Sequence, residues 1–129
     1  MVDAAEPPSL TDAEWTVMRA VWQGCPCTAR DVLERVADSG WAYTTVRTLL
    51  QRLVDKGAVT MRLRGNTSIY EARLREQDAK QSAVRSLLQK AFDGSFGALL
   101  THLARTERLS ARDRARLQRL LDEQPEEGS

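Results

Sequence analysis

The sequence predicts a mainly α-helical fold that contains one small β-hairpin. Apolar residues recur with a period near 3.6 between residues 12 and 56 and again after residue 76, which is typical of amphipathic helices. Between these segments the period changes to two, as in paired strands. The chain has 129 residues, of which 42% are hydrophobic and 29% charged, a globular composition. Because no apolar run approaches about 18 residues, we expect no membrane insertion.

Three short helices are predicted ahead of the hairpin, and capping residues mark the start of the first two. Thr11 and Glu14 have the spacing of a capping box, and Thr28 and Asp31 have the same spacing. A third helix begins near Thr44. Its apolar stripe consists of Val46, Leu49, Leu50, Leu53 and Val54, and Gly57 follows where a C-terminal capping glycine belongs.

The segment after Gly57 predicts a β-hairpin. Val59, Met61 and Leu63 alternate with polar residues, so we expect a strand whose apolar face is buried. The stretch 65–67 predicts a tight turn, and residues 68–72 predict the returning strand.

The last part of the chain predicts helices with apolar stripes that form only a thin core for one chain. We therefore expect two regions, an N-terminal domain over residues 1–75 and a helical dimerisation arm over 76–129, in which a symmetric partner completes the core. The alternative is that these helices fold back on the N-terminal domain. The candidate dimerisation residues are Val84, Leu87, Leu88, Phe92, Phe96, Leu99, Leu100, Leu103, Leu117, Leu120 and Leu121.

The net charge of +1 conceals an uneven distribution along the chain. Residues 1–40 carry three basic and seven acidic residues (−4), residues 41–75 carry seven and two (+5), and residues 76–129 are balanced. A local basic stretch is a candidate contact surface for phosphate groups. The alternative is a solvated surface on which the charges average out.

Three helices followed by a basic hairpin predict a winged helix-turn-helix domain, in which the third helix reads the DNA major groove. If the apolar stripe of that helix faces the core, then Thr44, Arg47, Thr48 and Gln51 face outward. An arginine can form a bidentate pair with guanine, and a threonine methyl can pack on thymine. We therefore expect a recognition helix near residues 44–56.

Two further surfaces are predicted to hold the DNA backbone. Arg62, Arg64 and Asn66 lie near the tip of the hairpin, the basic wing over residues 59–72, and can bind a phosphate or enter the minor groove. The helix start at Thr28 offers backbone N–H groups to another phosphate. The alternative for the hairpin arginines is a charged edge strand that prevents aggregation. The rival function is a winged helix that docks a protein, in which the basic stretch meets an acidic partner.

The residues Ala13 to Met18, followed by Val21-Trp22, resemble the opening of the penicillinase-repressor family (BlaI/MecI/CopY). The stretch Thr45 to Leu50, followed by Arg52-Leu53, resembles the recognition helix of that family. Tyr70 followed by a long helical arm is similar too, and the resemblance spans roughly residues 10–122. It adds Thr45 and Arg52 to the candidate DNA-binding residues.

The resemblance implies a cytoplasmic homodimeric repressor that binds a palindromic operator on double-stranded DNA. Better-known members control antibiotic-resistance genes and are inactivated when a membrane sensor peptidase triggers their cleavage. The stretch 99–109 has His102-Leu103 where the well-studied repressors have Asn-Phe, so His102 and Leu103 are the cleavage candidate. Copper-responsive members carry two Cys-x-Cys pairs near the C-terminus, and none occurs there in this chain.

The two cysteines leave one further alternative open, a metal- or thiol-responsive repressor. Cys25 and Cys27 flank Pro26 in the turn between the first two helices. One such pair supplies only two of the four ligands of a structural zinc site, so we expect no metal and no cofactor.

A single histidine and the lack of a phosphate-binding glycine loop predict that the chain is not an enzyme. The segment Met1–Leu10 contains acids and no basic residue, which predicts the absence of a secretory signal.

Overall fold

The computed structural model describes residues 7–106 and 108–124, and the prediction on the N-terminal segment falls partly outside this range. The described residues contain six helices and one hairpin, which confirms the predicted fold class. In chain order they are α1 (Asp12–Gln23), α2 (Ala29–Arg35), a 3-10 turn (Ala37–Ser39), α3 (Tyr43–Asp55), β1 (Val59–Arg64), β2 (Thr67–Ala72), α4 (Glu76–Phe92), α5 (Phe96–Thr106) and α6 (Ala111–Glu123).

Both predicted capping boxes are present at the starts of α1 and α2. The Glu14 backbone N–H donates to Thr11 Oγ1 over 3.1 Å, and the Thr11 N–H donates to Glu14 Oε1 over 2.9 Å. Thr28 and Asp31 repeat the arrangement at 3.0 and 2.9 Å. These bonds satisfy backbone donors that the helices leave without intrahelical partners, so the sequence determines both helix starts locally.

The core lies where α1, α2 and α3 meet the base of the hairpin. The predicted stripe of α3 is buried except for Val54, which is half-buried. The indole N–H of Trp22 donates to the Leu74 carbonyl over 2.9 Å and so ties α1 to the segment after the hairpin. The fully buried apolar side chains from the three helices are Val17, Met18, Val21, Val32, Val46, Leu50 and Leu53.

The hairpin differs from prediction in how much of its apolar face is buried. Val59 is buried, but Met61 and Leu63, which share its face, are 41% and 68% exposed. The prediction of a continuous buried face is therefore wrong for these two residues. The strands pair from Val59 with Ala72 to Arg64 with Thr67, and only the base of this two-stranded sheet packs on the helices. The tip extends beyond the core, so alternation there does not lead to burial.

The turn between α1 and α2 positions the base of the hairpin. Cys27 and Tyr70 exchange backbone hydrogen bonds of 3.0 and 2.7 Å, which pairs the turn with β2. Arg35 donates to the carbonyls of Ala20 and Gly24 over 2.9 and 2.7 Å. Hydrogen bonds with Arg35 and with Tyr70 of β2 therefore fix the turn, and Cys27 is buried within it.

A buried ion pair joins the start of α1 to the end of α3. Glu14 is only 1% exposed, and one of its carboxylate oxygens accepts a hydrogen bond from the Lys56 ammonium. Lys56 also donates to the Ser9 carbonyl over 2.8 Å. Burial raises the pKa of Glu14, but hydrogen bonds from Lys56 and the Thr11 backbone outweigh it, so the net pKa lies below the ordinary value of 4.5.

The described chain divides into two compact units between Ser86 and Leu87, inside α4. The first turn of α4 contributes the buried Ala79 to the core of the first unit. The predicted domain boundary at residue 75 precedes this division and remains a prediction. No described helix is long and apolar enough to cross a membrane.

The second unit contains the end of α4, α5 and α6. Asp93 and Gly94 follow the last residue of α4 and adopt positive φ angles of 50° and 79°. Ser95 accepts from the Ala98 N–H over 3.0 Å, and Ser110 accepts from the Asp113 N–H over 3.0 Å, so a serine hydroxyl satisfies one first-turn N–H of each helix. No residue of α5 or α6 is buried.

Candidate nucleic-acid interface

The outer face of α3 presents all six predicted DNA-contacting residues of that helix to solvent. Burial of the apolar stripe fixes the rotation of the helix about its axis, and the polar residues follow on the opposite side. The exposed residues are Thr44, Thr45, Arg47, Thr48, Gln51 and Arg52. Because the apolar side of α3 packs on the core, its exposed polar side can enter a DNA groove without disturbing the core.

One side of this face forms a shallow, open recess of about 230 Å³. It is lined by Thr44, Thr45, Thr48, Leu49 and Arg52. The recess brings together Thr44 and Thr48, which the helix periodicity predicted, with Thr45 and Arg52, which the family resemblance added. Its lining offers hydroxyl groups, methyl groups and one guanidinium, the groups that contact base edges and phosphates.

Arg47 and Gln51 lie on the other side of the same face. Gln51 donates from Nε2 to Asp55 Oδ1 over 3.0 Å, so its amide is already engaged within the helix. Among the described residues, no ion pair joins Arg47 to an acid. The Arg47 guanidinium is therefore available as a bidentate donor on this side.

The N-terminus of α3 differs from those of α1, α2 and α6. Its N-cap is Ala42, which makes no side-chain cap, and its first turn contains no acid. The other three helices have a Thr or Ser cap and an acid in the first turn. The positive end of the α3 dipole is therefore not neutralised by a side chain, which favours a negatively charged partner there.

The phosphate site predicted at the start of α2 is already occupied by the protein itself. The Thr28 N–H donates to the Asp31 carboxylate, and the Thr28 hydroxyl accepts from the Asp31 N–H. Hydrogen bonding from the Thr28 backbone lowers the pKa of Asp31, so this carboxylate stays charged at neutral pH. A negative charge at this position repels a phosphate.

The wing places its arginines on the face opposite Met61, Leu63 and Tyr70. Arg62 Nε lies 3.5 Å from Glu71 Oε1, and the Arg62 side chain is 58% exposed. Arg64 and Asn66 are exposed at the tip, and no acid within the described residues pairs with Arg64. The two arginines are therefore not equivalent, since a neighbouring carboxylate partly compensates only the charge of Arg62.

A contact that the sequence did not predict joins the two helices of the helix-turn-helix. The Arg30 guanidinium carbon lies 5.1 Å from the centre of the Tyr43 ring. Arg30 is near the start of α2, Tyr43 is the first residue of α3, and both are exposed. No sequence spacing signals this contact, because it depends on how the two helices pack.

The cysteines and the predicted cleavage pair lie outside this surface. Burial raises the pKa of the Cys27 thiol, whereas Cys25 is exposed. No group of three or more potential metal ligands occurs in the described part of the chain. His102 and Leu103 lie inside α5, where the His102 ring meets Phe92 edge-on at 5.7 Å.

The candidate dimerisation residues are exposed or half-buried in the single chain. Phe96 is 58% exposed, and Leu88, Phe92 and Leu99 are half-buried. Those with more than a third of their surface exposed are Val84, Leu87, Phe96, Leu100, Leu103, Leu117, Leu120 and Leu121.

Comparison with known proteins connects this architecture to a family. The family model described as "Penicillinase repressor" matches residues 10–123. The penicillinase repressor of Bacillus licheniformis is 26% identical over 117 residues, which cover 90% of this chain and 91% of that protein. The methicillin resistance regulatory protein MecI of Staphylococcus aureus (strain N315) is 26% identical over 114 residues, covering 88% and 93%.

Two further proteins are similar to this chain. An uncharacterised 16.5 kDa protein of Latilactobacillus sakei is 33% identical over 113 residues, which cover 87% of this chain and 77% of that protein. The solution structure of the DNA-binding domain of the repressor BlaI superposes with a TM-score of 0.51 at 28% identity. The superposition covers 57% of this chain and 90% of that domain.

Proposed function

The chain belongs to the penicillinase repressor family, a family of DNA-binding repressors, and from this premise we propose that it represses transcription as a dimer bound to a palindromic operator. The observation that carries the proposal is the outer face of α3, which combines exposed Thr and Arg side chains with an N-terminus that no side chain caps. Such a face suits contact with base edges and with the phosphates beside them. The protein then acts in the compartment of the chromosome, the cytoplasm.

Within this proposal, the residues of α3 divide the reading of a half-site between them. Arg47 forms a bidentate pair with a guanine, while the methyl groups of the threonine-lined recess pack on a neighbouring base. Arg52 lies at the C-terminal end of the recess and contacts the backbone. Because Gln51 is bonded to Asp55, it contributes less than Arg47 to discrimination between bases.

The wing contributes affinity rather than sequence discrimination. Arg64 and Asn66 at its tip contact phosphates or the minor groove beside the half-site, and Arg62 assists once it leaves Glu71. Contacts of this kind release counterions from the DNA, so they strengthen binding to any sequence and weaken as the salt concentration rises.

The exposed apolar residues of α4, α5 and α6 support the homodimer. Large apolar side chains with more than a third of their surface exposed recur along each of these helices, and a two-fold partner would bury the same residues from both chains. Two recognition helices related by a two-fold axis read two inverted half-sites, which accounts for a palindromic operator.

Derepression by proteolysis, triggered by a membrane sensor peptidase, completes the proposal, with His102–Leu103 as the cleaved bond. This bond lies within a helical turn, where the Thr106 hydroxyl also donates to the His102 carbonyl over 2.7 Å. Proteases bind extended chains, so α5 must open locally before cleavage. Mass spectrometry of the repressor recovered after induction is expected to find fragments that end at residue 102, and a chain that remains intact would exclude this step.

The experiment that tests the function is selection of genomic DNA fragments by the purified full chain, followed by sequencing. We expect enrichment of fragments that share two inverted half-sites and lie upstream of regulated genes. A reporter gene placed behind such a fragment should be repressed when the protein is expressed. A winged helix that docks a protein would enrich no sequence, and that result would overturn the proposal.

A further inference from the structure

The contact between Arg30 and Tyr43 joins the first turns of α2 and α3 on the exposed side of the helix-turn-helix. The guanidinium carbon lies 5.1 Å from the ring centre, within the range of a cation–π interaction. Tyr43 is immediately followed by Thr44 and Thr45, which line the recess on α3. The arginine is therefore held beside the surface that we propose to read DNA.

The two arginines of α2 differ in whether their guanidinium groups are hydrogen-bonded within the protein. Arg35 donates to two backbone carbonyls and fixes the turn before α2. Arg30 has no ion pair within the described residues, and its neighbour Asp31 is engaged by Thr28. A guanidinium has five N–H donors, so a cation–π contact with one ring leaves N–H groups of Arg30 able to donate to an anion.

We propose that Arg30, oriented by the Tyr43 ring, binds a DNA backbone phosphate at the edge of each half-site. In helix-turn-helix domains the helix before the recognition helix crosses the sugar–phosphate backbone, which places a phosphate near its first turn. The backbone N–H of Thr28 does not serve this purpose, because Asp31 accepts its hydrogen bond. The inference rests on the proposed function and adds a residue to the contact surface.

The test compares the full-length wild-type chain with Arg30→Gln on two DNA duplexes over a range of salt concentrations. One duplex carries a sequence enriched from genomic fragments, and the other is a scrambled duplex of equal length. Arg30→Gln is expected to lower the affinity for both duplexes by about threefold to tenfold. It should also reduce the salt slope, the steepness with which log affinity falls with log salt concentration, by about one. Arg19→Gln, which removes one exposed positive charge from α1, is the matched control and should leave the slope unchanged.

A second variant separates the charge of Arg30 from its orientation. Tyr43→Leu keeps the charge but removes the ring, so affinity should fall by a few-fold on both duplexes while the salt slope stays at the wild-type value. Thermal unfolding of each variant shows that it is folded. If Arg30→Gln behaves like Arg19→Gln, or weakens only the enriched duplex, the phosphate assignment is wrong. If the wild-type chain binds both duplexes equally, it is the proposed function that fails.

Discussion

Arg47 and Arg52 lie about 140° apart around α3, as follows from a five-residue separation in a helix of 3.6 residues per turn. Under the proposed function, they would therefore contact different parts of a DNA groove. Arg52 belongs to the threonine-lined recess, whereas Arg47 stands beside a glutamine that is bonded to Asp55. Under the proposed function, we therefore expect discrimination between bases to depend most on Arg47.

The buried Glu14 shows a different role for a charged residue, since it holds α3 in place rather than contacting a ligand. Replacing it by glutamine keeps the shape and the acceptor for Thr11 but removes the charge that pairs with Lys56. We expect Glu14→Gln to lower the free energy of unfolding by about 1–3 kcal/mol near neutral pH. Chemical denaturation measures this, with Glu34→Gln on the exposed face of α2 as the control.

The same pair predicts how stability depends on pH. Because the folded-state pKa of Glu14 lies below its ordinary value of 4.5, the stabilisation is complete above that value and is lost as the pH falls through the folded pKa. The denaturation curves of the wild-type chain and Glu14→Gln should therefore converge in acid. If the difference in the free energy of unfolding between the two proteins stays constant down to low pH, the charge of Glu14 does not cause it.

Among the elements, the helices followed from the sequence more completely than the hairpin did. Capping boxes at Thr11 and Thr28 involve residues three positions apart, so local spacing contains all the information needed. Alternation in β1 shows which residues share a face, but it does not show where the supporting core ends. For this reason the exposure of Met61 and Leu63 became apparent only in the structure.

In the candidate site, the sequence likewise predicts which side of a helix is exposed but not which residues of two helices meet. The exposed residues of α3 follow from its apolar stripe, because burial of one side of a helix orients the other. The contact between Arg30 and Tyr43 joins residues from two helices, and no periodicity within either helix encodes it. The loss of the Thr28 site to Asp31 could have been inferred, since the spacing that predicts the cap also places a carboxylate there.

The wing as an element leads to a prediction about salt dependence. Arg64→Gln should reduce the slope of binding affinity against salt by about one for any DNA sequence, because one phosphate contact is lost. Glu71→Gln should steepen the slope, since it releases Arg62 from its ion pair. Titration of labelled duplexes at several salt concentrations measures both effects. Slopes that do not change would remove the wing from the contact surface.

The proposed dimer requires that two chains associate through their C-terminal helices. No residue of α5 or α6 is buried in one chain, although both helices carry leucine stripes. The basic stretch of residues 41–75 lies within the first unit, and the net charge of the complete chain is only +1. Attraction to DNA of any sequence should accordingly be modest, and tight binding needs two half-sites bound together.

Disruption of the leucine stripe of α6 tests this arrangement. The double variant Leu117→Asp and Leu121→Asp should sediment as a monomer while the first unit stays folded, because burying the aspartates in an apolar interface is unfavourable. Loss of the second recognition helix should lower operator affinity by about 100-fold or more. Gln118→Asp, on the polar side of the same helix, is the control. A double variant that still sediments as a dimer would place the interface elsewhere.

A parallel DNA selection with the wild-type chain and Arg47→Ala tests whether the outer face of α3 reads the operator. The wild-type chain should enrich two inverted half-sites separated by about 10 base pairs or a multiple of that distance. Arg47→Ala should lose its preference at one base pair in each half-site, at symmetric positions, with an affinity cost of about 1–3 kcal/mol. Identical preferences for both proteins, or no enriched sequence for either, would contradict the account.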